Sequence, residues 1–288
     1  MNIVEVYDRF PTNQDCLNYL EKVRWKGKPT CPYCDSQNVT PLSKENRHHC
    51  NTCNTSFSVT VRTIFHKTKL PLQKWFLAIS LVLNAKKGIS ARQLARDIKV
   101  NKDTAWSMGM RIRRAMIEQR ELMQGIVEMD ETYIGGKPRK GGGGGHNKRG
   151  RGTKKAPVIG IAERNGKIKA RPAKNVKDRT LRSLVRENVD LKNTVLITDE
   201  FTGYSRMSTI IDHQVVNHHI WYADGYRHTN NIESFWALLK RGIVGQYHKV
   251  SIRHLSKYID EFCYRHNNRG KDDLFDITIS RALGGTHE

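Results

Sequence analysis

The stretch Gly125-Ile126-Val127-Glu128-Met129-Asp130-Glu131-Thr132-Tyr133-Ile134 alternates apolar and polar residues with a period of two and sets a carboxylate in its middle. That period predicts a β-strand with one covered face, and an acid inside such a strand is costly unless it has a task. The adjoining segment is of another kind. Positions 137–155 hold eight lysines or arginines, no acid and the glycine run 141–145. A composition of this sort cannot bury a core and predicts a loop, either a solvated linker or a clamp on DNA phosphates through cations such as Lys148, Arg149 and Arg151. No Gly-Lys-Ser/Thr follows the glycines in the frame of a phosphate-cradling P-loop.

Beyond the loop the pattern predicts strands at 158–162 and 167–173, a helix at 176–188, and an apolar strand at 194–198 that ends at Asp199. The order β-β-β-α-β, with a further helix later, suits an α/β mixed sheet covered by helices, with Asp130 and Asp199 on neighbouring strands. Two carboxylates meeting there repel unless cations lie between them; otherwise they are unrelated surface acids. Further on, Ile232, Phe235 or Trp236, Leu239 and Ile243 define a buried helical stripe. Glu233 and Lys240 are seven residues apart, about two turns, and so lie along one side of that helix. They are either site residues or solvated flanks, with Asn231 and Glu200 as the other polar candidates nearby.

Toward the N-terminus, Cys31-Pro32-Tyr33-Cys34 and Cys50-Asn51-Thr52-Cys53 are separated by 15 residues. This two-knuckle spacing predicts a tetrahedral zinc site, with two disulfides or an iron–sulfur cluster as the alternatives. Val39, His49 and Phe57 fall where short strands would pack beside it, and His48 and His49 are expected at the surface. From Leu70 the period becomes helical through Trp75, Phe76, Ile79 and Leu83. Ser90 is placed to cap a helix carrying Leu94, Ala95 and Ile98 inward. A turn at 99–102 leads to a second helix from Asp103 or Thr104. With Lys102, Arg111, Arg113 and Arg114 around Trp106, Met110 and Ile112, the pair is either plain scaffold or a helix-turn-helix whose cations hold phosphates.

The whole chain has 288 residues and a formal charge of +22, from 50 lysines and arginines against 28 acids. Its length suits one large domain with one or two small modules, and its charge favours a polyanionic partner, nucleic acid, over a neutral small substrate. A protein that only coats phosphates fits the charge equally well. No apolar run approaches the ~20 residues that span a bilayer. The first ten residues do not read as a signal peptide, and paired cysteines fit a reducing compartment, so a cytoplasmic protein is expected.

In their order these fragments resemble the bacterial insertion-sequence transposases that join an N-terminal zinc ribbon to an ISXO-type, ribonuclease-H-like DDE domain, often with a lysine seven residues after the third acid. The likeness runs from Cys31 through 128–137 and Thr198-Asp199-Glu200 to Asn231-Ile232-Glu233 with Lys240-Arg241-Gly242. It continues through 245–251, His254-Leu255, Tyr258, Glu261-Phe262 and Arg265-His266-Asn267. The resemblance implies an N-terminal segment and zinc ribbon at 1–66, a helix-turn-helix region at 67–120 and a catalytic domain at 121–288. It also implies two divalent ions, Mg2+ or Mn2+, held by Asp130, Asp199 and Glu233, with Lys240 at the site. DNA partners would be the element's terminal repeats and the target, bound by a homo-oligomer in the nucleoid and with no membrane association. The rival readings are a DNA-binding regulator with structural acids and a nuclease of the same fold.

Overall fold

A computed structural model describes residues 1–118, 121–135, 153, 155–216 and 228–284. It divides into two compact units, one of residues 1–117 together with the chain from Gly270 onward, the other spanning Glu118–Arg269.

In the first unit, α1 (Ile3–Arg9) and α2 (Asn13–Trp25) each begin with a capping box, Asn2 with Glu5 and Thr12 with Asp15. These reciprocal bonds satisfy amides that a helix start leaves bare, so two short helices without strong apolar periodicity still form. Strands β1 (Val39–Leu42), β2 (Arg47–Cys50) and β3 (Thr55–Phe57) make an antiparallel sheet. Next comes α3 (Leu72–Asn84), which buries Leu72, Trp75, Phe76, Leu77, Ala78, Ile79, Ser80 and Val82. A helix covered on nearly every side is the centre of its unit. Ser90 caps α4 (Ala91–Asp97) by accepting from the Gln93 amide at 3.2 Å, as the sequence predicts. The next helix, α5 (Lys102–Ala115), starts slightly before the expected position because Asn101 is its cap, accepting from the Thr104 amide at 2.7 Å.

The last helix corrects the expected domain boundary. It covers Leu274–Leu283 and packs within the first unit. The Phe275 ring lies 5.7 Å from that of Phe76 and 6.3 Å from that of Phe10, and Asp276 takes Arg9 at 3.0 Å as well as the Tyr19 hydroxyl. An aromatic cluster closed from both ends of the sequence cannot be read from local periodicity.

The second unit is built on one sheet. Its strands are β4 (Met123–Ile134), β5 (Ala156–Glu163), β6 (Ile168–Pro172), β7 (Val189–Thr198) and β8 (Asp212–Val215), in the spatial order β6-β5-β4-β7-β8. β5 runs antiparallel to both of its neighbours, β4 and β6, whereas β4, β7 and β8 are parallel. This is the mixed α/β sheet expected. Val127 and Met129 point to one face with Ile159, Ile161 and Leu196, and α6 (Asp178–Asn188) covers it with Leu181, Leu184 and Val185. Glu128, Asp130 and Thr132 point to the other face, as the pleat requires. There α7 (Asn230–Arg241) crosses the sheet with Ile232, Phe235, Trp236 and Leu239 buried. A π-helical turn, Gly242–Gln246, leads to α8 (Ile252–Asn267). The Asn267 side chain accepts from the Ile168 amide at 2.7 Å and donates to its carbonyl at 2.9 Å, closing the outer edge of β6.

Candidate active site and metal centre

In the ribbon, the four sulfur atoms of Cys31, Cys34, Cys50 and Cys53 all lie within 4.8 Å of one another. Cys31 and Cys53 stand 3.7 Å apart, and Cys34 and Cys50 3.6 Å apart. Sulfurs on a tetrahedron with Zn–S bonds of ~2.3 Å would be about 3.8 Å apart, whereas a disulfide needs about 2.0 Å. The donor set therefore fits a tetrahedral metal. Each knuckle turns on a residue with positive φ, Asp35 at 57° and Asn54 at 53°. The Tyr33 amide approaches the Cys31 sulfur at 3.5 Å.

His48, expected at the surface, is instead buried. Its Nε2 meets Glu21 at 3.0 Å, and its ring stacks on Phe57 and sits edge-on to Trp25. The reason lies in α2, which the sequence reading did not resolve and which lays Glu21 and Trp25 on the ribbon. His49 is half-buried and pairs with Ser56.

In the helix pair the structure separates the expected cations. Arg113 is only 4% exposed. Arg111 donates to the His66 carbonyl at 2.6 Å and lies 5.1 Å over the Trp75 ring, and burial lowers its pKa. Burial corrects the reading of Arg113 as a phosphate contact, whereas Arg111 is half-buried and engaged with His66 and Trp75. A helix of i, i+3, i+4 spacing turns any residue on its inner side into core, whatever its charge. Lys102, Trp106 and Arg114 lie on the exposed side. Arg111→Ala should accordingly lower the stability by ~1–2 kcal/mol for a lost hydrogen bond and cation–π contact, and with it the thermal midpoint, and leave the salt dependence of DNA binding unchanged. Arg114→Ala should do the reverse, reducing the slope of log K against log salt by about one. Thermal melts and binding isotherms at several salt concentrations check both. Lys148, Arg149 and Arg151, with most of the basic loop, fall outside the described residues.

Two of the catalytic candidates, Asp130 and Asp199, lie near each other at the sheet. The β4–β7 register pairs Val127 with Leu196 and Glu128 with Ile197. Asp130 lies two residues further along β4 and Asp199 just past the end of β7, near enough for the Asp199 charge to act on Asp130. Gly160 is the β5 partner of Asp130, and a β-carbon there would come within 2.5 Å of Trp236. The bare glycine lets the indole lie against the strand, where its Nε1 donates to Asp130 Oδ2 at 2.9 Å. The other oxygen, Oδ1, accepts from the Glu131 amide at 2.7 Å. Asp199 Oδ1 takes the Phe201 amide at 3.1 Å. Burial, then the charges of Glu131 and Asp199, push the Asp130 carboxyl up to about 7.

Tyr204 lies on the opposite face of the sheet, in the core that α6 covers. Its hydroxyl donates to Glu131 Oε2 at 2.8 Å, and burial with the charges of Glu131, Asp130 and Asp199 holds its pKa well above the usual value. Glu131 and Tyr204 were not singled out from sequence; the only signal was an acid next to Asp130. Glu233 lies in the first turn of α7, three residues before Trp236 and so on the helix side that meets Asp130. Its Oε1 accepts from the Thr229 hydroxyl at 2.6 Å. Among the described residues, Asp130, Asp199 and Glu233 do not gather their oxygens as closely as the cysteines gather their sulfurs. Lys240 is exposed. The Asn231 side chain is turned to Glu128, its Nδ2 at 2.8 Å from Oε1.

Comparison with known proteins gives the class, that of transposases. Residues 122–267 match the ISXO2-like transposase domain and residues 11–56 the transposase zinc-ribbon domain. The chain belongs to the ISXO2-like transposase family. It is 29% identical over 272 residues to the Uncharacterized protein in transposable element ISH50 of Halobacterium salinarum, covering 89% of this chain and 91% of that protein. Among solved structures, the Mos1 Strand Transfer Complex is 11% identical, covers 72% of this chain and 74% of its own, and gives a TM-score of 0.28. A pre-cleavage Mos1 transpososome is 13% identical, with 73% and 78% covered and a TM-score of 0.27. Likeness at that level carries no argument. No helix among the described residues is long and apolar enough to cross a membrane.

Proposed function

We propose that this transposase cuts DNA at the ends of its element and joins the freed 3′-hydroxyls to target DNA, with Asp130, Asp199 and Glu233 as ligands for Mg2+ or Mn2+. The observation that carries the reading is Asp130, a largely buried carboxylate on β4, pushed up to about 7 by burial and by the charges of Glu131 and of Asp199, which follows the end of β7. Acids set against one another in this way are a donor set for hard cations. Two such ions, when bound, activate the attacking oxygen and stabilise the departing one in an in-line displacement.

The chain's own residues do the rest. Trp236 and the Glu131 amide fix the two oxygens of Asp130, and the Phe201 amide orients Asp199. Glu233 approaches from α7, and its Thr229 contact is one that a cation can replace. Water attacks first and a 3′-hydroxyl second, with no covalent protein intermediate. The ribbon cysteines hold zinc as a structural ion. The outer side of α5 and the basic segment 137–155 contact the phosphates of the terminal repeats, and the protein acts as an oligomer that brings two ends together.

A duplex carrying the repeat that flanks the gene tests this. In Mg2+ the reading expects nicks with 3′-hydroxyl ends, then joined products, and no protein–DNA adduct. A covalent adduct, or binding without any cutting, would overturn it in favour of another chemistry or a regulator.

Lys240 offers a separate check. It is exposed two turns beyond Glu233, too far for a helix salt bridge with it, so its contribution is to DNA. Lys240→Ala should reduce strand joining ~10-fold while moving stability by no more than about 0.5 kcal/mol. Arginine should restore only part of the activity. Joining assays beside thermal melts read both.

A further inference from the structure

Glu128 is fully buried in the middle of β4. A carboxylate there is tolerated only with dense compensation. Part of it comes from Arg164, whose Nη2 is 3.2 Å away, and from His228, whose Nδ1 is 3.3 Å away. The remainder comes from the start of α7. The Asn231 amide donates to Oε2 at 2.9 Å, the Ile232 amide to the same oxygen at 3.2 Å, and the Asn231 side chain to Oε1 at 2.8 Å. The first amides of a helix have no partners within it and lie at the positive end of its dipole. In α7 the anion that meets them is supplied by a strand of the sheet. The local N-cap residue, Thr229, makes no side-chain cap bond and gives its hydroxyl to Glu233.

The same helix is pinned a second time. Trp236 donates to Asp130, two residues beyond Glu128 on the same face of β4, and lies over Gly160. Two strand side chains therefore hold α7 at two levels, and Glu233 falls between them. Rotating or sliding the helix would break one pin or the other.

We propose that Glu128 is a positioning residue for the metal site: it seats the start of α7 so that Glu233 faces Asp130 and Asp199, and it does not itself bind the cations. The inference rests on Glu233 being the third carboxylate. The competing account makes Glu128 a core ion pair with Arg164 that serves stability alone.

Terbium separates the two, since Trp236 at Asp130 is placed to sensitise its luminescence. Terbium affinity, the thermal midpoint without metal, and the Mn2+ concentration that half-saturates cleavage should be measured for Glu128→Gln, Asn231→Ala, Arg164→Gln and Glu233→Gln. Glu128→Gln and Asn231→Ala are expected to weaken terbium binding ~10-fold and raise the Mn2+ requirement similarly, with part of the rate recovered at high Mn2+. Arg164→Gln should lower the midpoint and leave terbium affinity near wild type. If Glu128→Gln fails to fold, Asn231→Ala, which keeps the Glu128–Arg164 pair, carries the test. The inference is overturned if these two variants lower the midpoint but bind terbium like wild type while Glu233→Gln binds it poorly. If Glu233→Gln itself keeps full affinity, the assignment of the third ligand has failed instead, and the positioning role falls with it.

Discussion

Asp130→Asn is expected to abolish strand cleavage and, in metal-free buffer at pH 8, to raise the thermal midpoint. Burial and the charges of Glu131 and Asp199 hold the carboxyl up at about 7 in the folded chain. In the unfolded chain it titrates at ~3.9. A raised folded pKa means that protonation favours the native state. The contribution is fully present below pH ~4 and is lost as pH rises through 7. At pH 8 the native protein thus carries an ionised acid in a poor environment, a penalty of at most about 4 kcal/mol, which the neutral amide avoids. The gap in midpoint between variant and wild type should narrow below pH 6 and close near pH 4. Mn2+ should raise the midpoint of the wild type and not that of the variant, because an ion that binds only the native state stabilises it by mass action. Equal midpoints at pH 8, or a lower one for the variant, would show that Asp130 is not held against other acids as described.

Removing the ribbon's metal is the second large effect. Structural zinc in small modules supplies ~10–16 kcal/mol, more than the whole stability of most domains. The ribbon has three short strands and almost no core of its own beyond Phe57, His48 and the Trp25 ring laid on it. Stripping the metal, or replacing Cys50 with serine, should therefore open 30–57 and expose Trp25, while β4 to β8 keep their amide protection. Elemental analysis should find one zinc per chain, lost in the Cys50 variant, and hydrogen exchange should show β1 to β3 unprotected. Protected ribbon amides in metal-free protein would refute the account of this module.

The two centres differed in how far they could be read from sequence, and the difference is physical. Zinc ligation is local: each Cys-x-x-Cys pair makes its own turn, so spacing alone gave the cluster. The period of residues 125–134 and the apolar run ending at Asp199 gave two strands, and β4 and β7 pair in parallel just before the two acids. Distant contacts stayed hidden. Arg111 and Arg113 read as surface cations because charge normally marks the outside, yet Arg113 is buried and Arg111 is half-buried against Trp75. Glu128 read as one more polar residue of an alternating strand, since its partners Arg164, His228 and Asn231 are far along the chain. Strand β8 was not predicted, and the closing helix 274–283 joined the wrong domain because its aromatic partners Phe10 and Phe76 lie at the opposite end of the sequence. Asn175 shortens the helix expected at 176: its side chain accepts from the Lys177 amide and the Thr180 hydroxyl, and α6 begins only at Asp178.

The central claim is that Asp130, Asp199 and Glu233 act as one metal-dependent site, and a single comparison tests it most directly. Wild type, Asp130→Asn, Asp199→Asn and Glu233→Gln should be given a labelled element-end duplex in Mg2+ and in Mn2+, with DNA binding measured in parallel. The account predicts cleavage and joining by wild type in either metal, and loss of both by more than about a thousandfold in each variant, roughly 4 kcal/mol of transition-state stabilisation, at unchanged affinity for DNA. Cleavage at the wild-type rate by any one of the three variants would contradict it.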